Sequence, residues 1–139
     1  MILGFLDIFG SGQTPELNFA GHCDASTNGC TSLSSEISTC QNQHIQVLLS
    51  IRGSAGSESL YSTKDANQLA SDLWDNFLGG QSKSRPLGDA VLNGIDFDIE
   101  LVGNNQFWDD LAMALAAHNN GRQRVVLSAA RNAPSQMLV

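Results

Sequence analysis

The sequence predicts an α/β fold in which parallel strands alternate with helices. Along the 139 residues, short apolar runs alternate with stripes of apolar residues at helical spacing. Most of the runs are continuous, which is typical of strands covered on both faces. Segments rich in Gly, Ser, Asn or Pro separate the elements, so βαβ units are indicated. No linker interrupts the pattern, and a single domain spanning residues 1–139 is expected.

The first predicted strand is the apolar run Ile2–Phe9. A loop rich in Gly, Pro and Asn continues from it to about Cys30. Thr31 and Ser32 are candidate N-caps for a short helix whose apolar stripe is formed by Leu33, Ile37 and Cys40. One strand and one helix therefore make the first unit.

The second unit begins with Ile45–Ile51, a run rich in aliphatic residues that ends in a Gly/Ser turn, RGSAGS. The helix that follows is predicted to end at Gly79 and Gly80. Its stripe consists of Ala66, Leu69, Ala70, Leu73, Trp74 and Phe77. The pattern of the first unit is thus repeated.

Leu92–Ile99 is the third predicted strand, and Arg124–Ala130 is the fourth. Between them a helix is predicted to end before Gly121. Its stripe consists of Phe107, Leu111, Ala114, Leu115 and His118. Core packing is the expected role of Trp74 and Trp108, and capping or surface roles are expected for the three histidines.

Charge and hydropathy exclude two classes of partner. The formal net charge is −7, and the few Lys and Arg residues are scattered, so neither nucleic acid nor an anionic membrane is expected as a ligand. No apolar run approaches the ~18 residues of a membrane helix. The apolar N-terminal segment has no basic n-region and no cleavage site, so it is not read as a signal peptide. A neutral partner is favoured.

The octapeptide NGIDFDIE places three acids, Asp96, Asp98 and Glu100, two residues apart. In an extended strand these side chains share one face, with neighbours about 6–7 Å apart. Carboxylates so close together repel one another, and at least one is expected to keep its proton at neutral pH. A protonated carboxyl beside ionised neighbours is what a general acid requires.

Spacing alone leaves three interpretations of these acids open. They could perform acid/base chemistry, form a solvated strand face, or provide oxygen ligands for a cation. The loop signature of calcium sites is absent. Carboxylates at the carboxyl end of a parallel strand lie where α/β barrels place their chemistry, which favours the first interpretation.

Three cysteines leave two alternatives. Cys23 and Cys30 flank a short polar loop and could close a small disulfide ring, with Cys40 left over. Equally, all three could be reduced thiols. CxxC spacing and a Cys/His cluster are absent, so no zinc site is expected, and no cofactor is indicated.

The segment Asn93–Glu100 resembles the DGxDxDxE signature of family 18 glycoside hydrolases, and its surroundings are similar to plant class III chitinases. The resemblance also covers FLDIFGSGQTPELNFAGHC, CQNQHIQVLLSI, DLWDNFLGGQSKSRPLGDAVL and FWDDLA, and therefore nearly the whole chain. It implies a secreted endochitinase, monomeric when full-length, that acts on chitin or related N-acetylglucosamine polysaccharides. The implied fold is a partial (β/α)8 barrel containing barrel strands two to five.

By this resemblance Glu100 protonates the glycosidic oxygen, Asp98 orients the substrate acetamido group, and Asp96 supports Asp98. The retaining mechanism is assisted by the substrate, without a protein nucleophile. The resemblance also implies a Cys23–Cys30 disulfide and a partner for Cys40 upstream of residue 1. The alternative is a non-catalytic relative that binds carbohydrate or inhibits another glycosidase, such as a xylanase.

The sequence departs from the family pattern at three positions. Asn93 replaces the first Asp of the signature, Arg52 replaces a Gly after the third barrel strand, and Ala133 replaces a Cys. A catalytic Tyr from a later strand has no counterpart before Val139. A long cation at Arg52 could fill the groove or pair with the acids.

Overall fold

The computed structural model describes residues 1–10, 12–53, 60–99 and 106–129. In chain order the strands are β1 (Ile2–Ile8), β2 (Glu16–Leu17), β3 (Leu48–Gly53), β4 (Gly94–Ile99) and β5 (Val126–Ala129). The α-helices are α1 (Leu33–Asn42), α2 (Thr63–Phe77) and α3 (Gln106–Ala116), and a 3-10 helix spans Ala25–Thr27. The four strands and three helices expected from the sequence are therefore confirmed.

The strands form one sheet in the order β2-β1-β3-β4-β5. Strands β1, β3, β4 and β5 are parallel neighbours, and each consecutive pair is joined through one of the three α-helices. Successive βαβ units of this kind form an arc of a (β/α)8 barrel, with helices on one face of the sheet. The predicted fold class is confirmed.

Strand β2 is the element that the sequence did not predict. The segment after β1 was expected to be a loop, but Leu17 pairs with Leu6 and Glu16 pairs with Ile8 in an antiparallel ladder. The backbones of Phe5 and Asn18 also exchange two hydrogen bonds, of 2.8 and 2.9 Å. Two residues are too short for a periodic signal, so this pairing depends on the neighbouring strand and not on local sequence.

The core lies between the outer face of the sheet and the helices. Leu49 and Ile51 of β3 and Ile95 and Phe97 of β4 are buried on this face. The buried helical residues that pack in the same cluster are Ala66, Leu69, Ala70, Leu73, Phe77, Trp108, Leu111 and Leu115. Their spacing is the helical stripe expected from the sequence.

The two tryptophans have packing roles, as expected. Trp108 is buried and meets the rings of Phe9 and Phe97 edge-on, at centroid distances of 5.7 and 6.5 Å. Trp74 is partly buried and stacks on His118 with centroids 4.3 Å apart. Edge-on and offset-stacked pairs are the favoured aromatic arrangements.

Candidate active site

The inner face of the sheet carries the polar residues of interest in two rows. The parallel register places Ser50 of β3 beside Asp96 of β4, and Asp96 beside Ser128 of β5. Two residues nearer the carboxyl ends, Arg52 lies beside Asp98. Because successive side chains alternate between faces, both rows point away from the buried Ile95 and Phe97.

Asp96 is held from both sides by hydroxyl groups. Ser50 Oγ donates to Asp96 Oδ2 at 2.9 Å, and Ser128 Oγ donates to Asp96 Oδ1. Ser50 is the buried polar residue of the described core, at 1% exposure, so its hydroxyl needs this partner. These contacts hold the carboxylate of Asp96 between a side chain of β3 and a side chain of β5.

Gly94 brings β4 and β5 close together just below this row. A Cβ atom at Gly94 would lie 1.8 Å from the carbonyl oxygen of Val126, so a larger residue would push the two strands apart. Since Asp96 reaches Ser128 across the same pair of strands, the glycine of the motif supports the geometry of the acids.

Asp98 follows on the same face and is partly buried. Its position beside Arg52 in the ladder agrees with the expectation that Asp96 and Asp98 form a row on one face. Glu100 lies outside the described residues, and its role therefore stays a prediction. The structure brings two of the three predicted acids together.

Arg52 is exposed and leans toward the neighbouring strand β1. Its guanidinium carbon lies 5.5 Å from the centroid of the Phe5 ring. This distance is within the range of a cation–π contact. Arg52 is the one basic residue of the described strands.

Sequence reasoning missed Asp7 on β1. Its Oδ1 atom is buried and has no hydrogen-bond partner within the part of the chain that the structure describes. The side chain lines a cavity of about 380 Å³ with Glu16, Asn18 and Asp24. An acid inside the apolar run ILGFLDIF was a signal that could have identified this position, because buried carboxylates are costly without partners.

Asn93, the departure in the signature, lies at the opposite end of β4 from the acids. Its Oδ1 accepts hydrogen bonds from Val47 N at 2.8 Å and from Gln41 Nε2 at 3.0 Å. Its backbone N–H donates to the carbonyl of Val47. Asn93 therefore joins the start of β4 to α1 and to the residue that precedes β3.

The predicted disulfide is present. Cys23 and Cys30 are bonded at an S–S distance of 2.10 Å, while Cys40 is a partly buried free thiol. Among the described residues there is no group of three His, Cys, Asp or Glu side chains suited to a metal ion. His22 and His44 are exposed and lie apart from the acids.

Two larger cavities lie away from the acids. One of about 580 Å³ lies between β2 and the second half of α2, and one of about 680 Å³ lies between α3 and β5. Neither is lined by Asp96 or Asp98. We place the candidate site on the open inner face, because the chemically suited groups converge there and cavity size alone does not identify chemistry.

Comparison with known proteins shows what this chain is similar to. The chain is 64% identical over 134 residues to "Acidic endochitinase SE2" of Beta vulgaris, and 58% identical over 135 residues to "Acidic endochitinase" of Vitis vinifera. The matches cover 96% and 95% of this chain but 45% and 44% of those proteins. The chain thus spans about half the length of the curated relatives it matches.

Two solved structures are also similar to this chain over about half of their own length. The ICChI chitinase of Ipomoea carnea matches with a TM-score of 0.85 and 50% identity, over 92% of this chain and 47% of that one. The xylanase and α-amylase inhibitor protein XAIP-II of Scadoxus multiflorus matches with a TM-score of 0.78 and 44% identity, over 92% of this chain and 45% of that one.

In the part of the chain that the structure describes, no helix is long and apolar enough to cross a membrane.

The sequence model described as Glycosyl hydrolases family 18 matches residues 1–138. A match of this extent, with the parallel sheet and the row of acids, shows that the chain belongs to glycosyl hydrolase family 18.

Proposed function

We propose that residues 1–139 are part of the catalytic domain of an endochitinase. Its substrate class is chitin or a related polymer of β-1,4-linked N-acetylglucosamine. The observation that carries the proposal is the pair of hydroxyl contacts from Ser50 and Ser128 that hold Asp96 one row below Asp98. An acid fixed from both neighbouring strands is suited to positioning a second acid, because its own rotamer is already restricted.

Each acid has a separate role in the proposed reaction. Glu100 donates its proton to the glycosidic oxygen while the acetamido oxygen of the substrate attacks the anomeric carbon. The bond to the leaving sugar breaks, and an oxazolinium-like intermediate forms. Asp98 orients the acetamido group and stabilises its developing positive charge, and Asp96 positions Asp98.

Water completes the reaction. It attacks the anomeric carbon and gives its proton to the carboxylate of Glu100, which returns to its starting state. The configuration at the anomeric carbon is retained, because two inversions occur on the same carbon. The reaction uses no metal and no cofactor.

The two named relatives are called acidic endochitinases, which supports this substrate class. We further propose an extracellular location and a role in plant defence against chitin-containing organisms, with a monomeric full-length protein. Since the chain spans about half the length of these relatives, the isolated 139 residues are expected to show no detectable chitinase turnover. Loss of positioning contacts alone can cost about 10²-fold in rate.

A chimera tests the proposal. Residues 1–139 replace the matching segment of the Beta vulgaris relative, and release of a chromophore from a chito-oligosaccharide is measured between pH 4 and pH 8. The chimera should hydrolyse the substrate, and Glu100→Gln should lower kcat by at least about 10²-fold with an unchanged melting temperature. An active Glu100→Gln chimera would show that another group is the acid.

A second candidate is a non-catalytic relative that binds carbohydrate or inhibits a glycosidase. It is favoured by the similarity to the inhibitor protein XAIP-II and by the exposed cation Arg52 on the inner face. An inactive chimera that binds chito-oligosaccharides, or that inhibits a xylanase or an α-amylase, would support this candidate. The intact acids Asp96 and Asp98 favour the enzyme.

A further inference from the structure

The contact between Arg52 and Phe5 occupies the inner face beside the acids. Arg52 lies on β3, between Phe5 on β1 and Asp98 on β4. Its guanidinium lies over the ring of Phe5. The inner face in this region therefore consists of the acids on one side and a covered aromatic ring on the other.

Phe5 is placed on this face by the irregular ladder between β1 and β3. Gly4 pairs with Ser50 and Leu6 pairs with Ile51, so that β1 has an extra residue between two consecutive residues of β3. Leu6 is fully buried in the core on the outer face. Phe5 is only partly buried, and its ring meets Arg52 and not the core cluster.

An aromatic ring on a binding face is a surface on which the C–H groups of a pyranose can pack. A guanidinium over that ring satisfies the negative face of the π-system and takes the same space. A neutral sugar that packs on Phe5 must first displace Arg52 and gains no charge pairing in return.

We propose that Arg52 is a specificity-determining residue that covers Phe5 and thereby weakens the binding of neutral N-acetylglucosamine chains at this face. The inference rests on the proposed function, because it concerns the same substrate class. On this proposal, Arg52 competes with the sugar for the face of the Phe5 ring, and the sugar displaces it on binding.

The test is an NMR titration of the chimera with chitotetraose carrying four N-acetyl groups. The chimera carries Glu100→Gln so that it does not cleave the sugar, and this form, with no further change, is the wild type of the comparison. Wild type is compared with Arg52→Gly, which uncovers the ring, and with Arg52→Met, which keeps an apolar stem but removes the cation. Arg122→Gly is the matched control, because Arg122 is exposed in the loop before β5. The sugar should bind Arg52→Gly about threefold to thirtyfold more tightly than wild type, with a smaller gain for Arg52→Met and none for Arg122→Gly.

A second readout does not depend on the gain in affinity. In wild type the Nε–Hε resonance of Arg52 should carry a ring-current shift that is lost in Phe5→Leu and on saturation with sugar. Equal affinity of wild type and Arg52→Gly, or an Arg52 resonance insensitive to Phe5→Leu, overturns the inference while leaving the proposed function standing. Failure of every variant to bind, Arg52→Gly included, contradicts the proposed function as well.

Discussion

Polar side chains at the two ends of β4 have different structural roles. At the amino end, Asn93 accepts hydrogen bonds from the backbone of Val47, just before β3, and from Gln41 of α1. At the carboxyl end, Asp96 accepts hydrogen bonds from the side chains of Ser50 and Ser128, and Asp98 follows it toward the open face. One end joins elements of the fold, and the other gathers side chains.

Arg85 extends the same contrast. It lies in the segment between α2 and β4 and donates to four backbone carbonyls, those of Asp75, Leu78, Gly80 and Ala90. These contacts complete the end of α2, where carbonyls lack helical partners. Polar groups at the amino ends of the strands thus stabilise the fold, while Asp96 and Asp98 near the carboxyl end lie on the open inner face, where the proposed site is. This division is the one expected of a (β/α)8 barrel.

The largest expected effect is on activity and comes from the carboxyl end. In the chimera, Asp96→Asn should lower kcat/KM by about 10²-fold, because Asp98 loses the carboxylate proposed to position it. The melting temperature should change little, since an amide can still meet the hydroxyls of Ser50 and Ser128. Asn93→Asp is the matched control on the same strand and should retain activity within about threefold, because a carboxylate can accept the same two hydrogen bonds. Equal losses in both variants would remove the functional contrast between the two ends.

The next effect is on stability and comes from the amino end. Arg85→Met should lower the free energy of unfolding by about 2–3 kcal/mol, because four carbonyls lose a charged donor. Burial lowers the pKa of this guanidinium, with Asp89 and Asp75 acting in the opposite direction, which agrees with its partly enclosed position. Arg85→Lys should recover part of the loss, and Arg122→Met should cost nothing measurable. These free energies are measured by urea unfolding of the chimera. An Arg85→Met variant with unchanged stability would contradict the capping role.

A smaller loss of stability is expected at Asn93. Asn93→Leu leaves the N–H of Val47 without its side-chain acceptor and removes one of the two acceptors of Gln41 Nε2, at a cost of about 1–2 kcal/mol. Asn93→Asp should remain within about 0.5 kcal/mol of wild type. The two variants are compared by urea unfolding, and a larger cost for Asp than for Leu would show that charge at this position matters more than the lost acceptor.

The smallest effect concerns Asp24, which caps the 3-10 helix that follows β2. Hydrogen bonds from the hydroxyl and then the backbone N–H of Ser26 hold the pKa of this exposed carboxyl below its usual value. A lowered pKa in the folded state stabilises the protein above the unfolded value of about 3.9, and this contribution is lost as the pH falls through the folded value. The melting temperature of wild type should therefore exceed that of Asp24→Asn at pH 7, and the difference should narrow below about pH 4. A difference that widens in acid would contradict this sign.

Much of the fold follows from local patterns. Helical stripes and apolar runs predict α1, α2, α3 and the four parallel strands, because burial on a helix or strand face leaves a period in the sequence. The same alternation predicts that Asp96 and Asp98 share a face. Strand ends were less accurate: β3 begins at Leu48 rather than Ile45, since the N–H of Ile45 returns to Cys40 O at the end of α1.

The sequence by itself therefore determined the order of elements and the face shared by Asp96 and Asp98, whereas the Cys23–Cys30 disulfide followed only from the resemblance to the family. The tertiary structure decided the long-range contacts. These are the hydroxyl groups that bind Asp96, the contact of Arg52 with Phe5, the pairing of β2 with β1, and the hydrogen bonds of Asn93. Ser50 and Ser128 lie 46 and 32 residues away from Asp96 along the chain. A periodic pattern specifies a direction for each side chain, but only the register between strands specifies its neighbours.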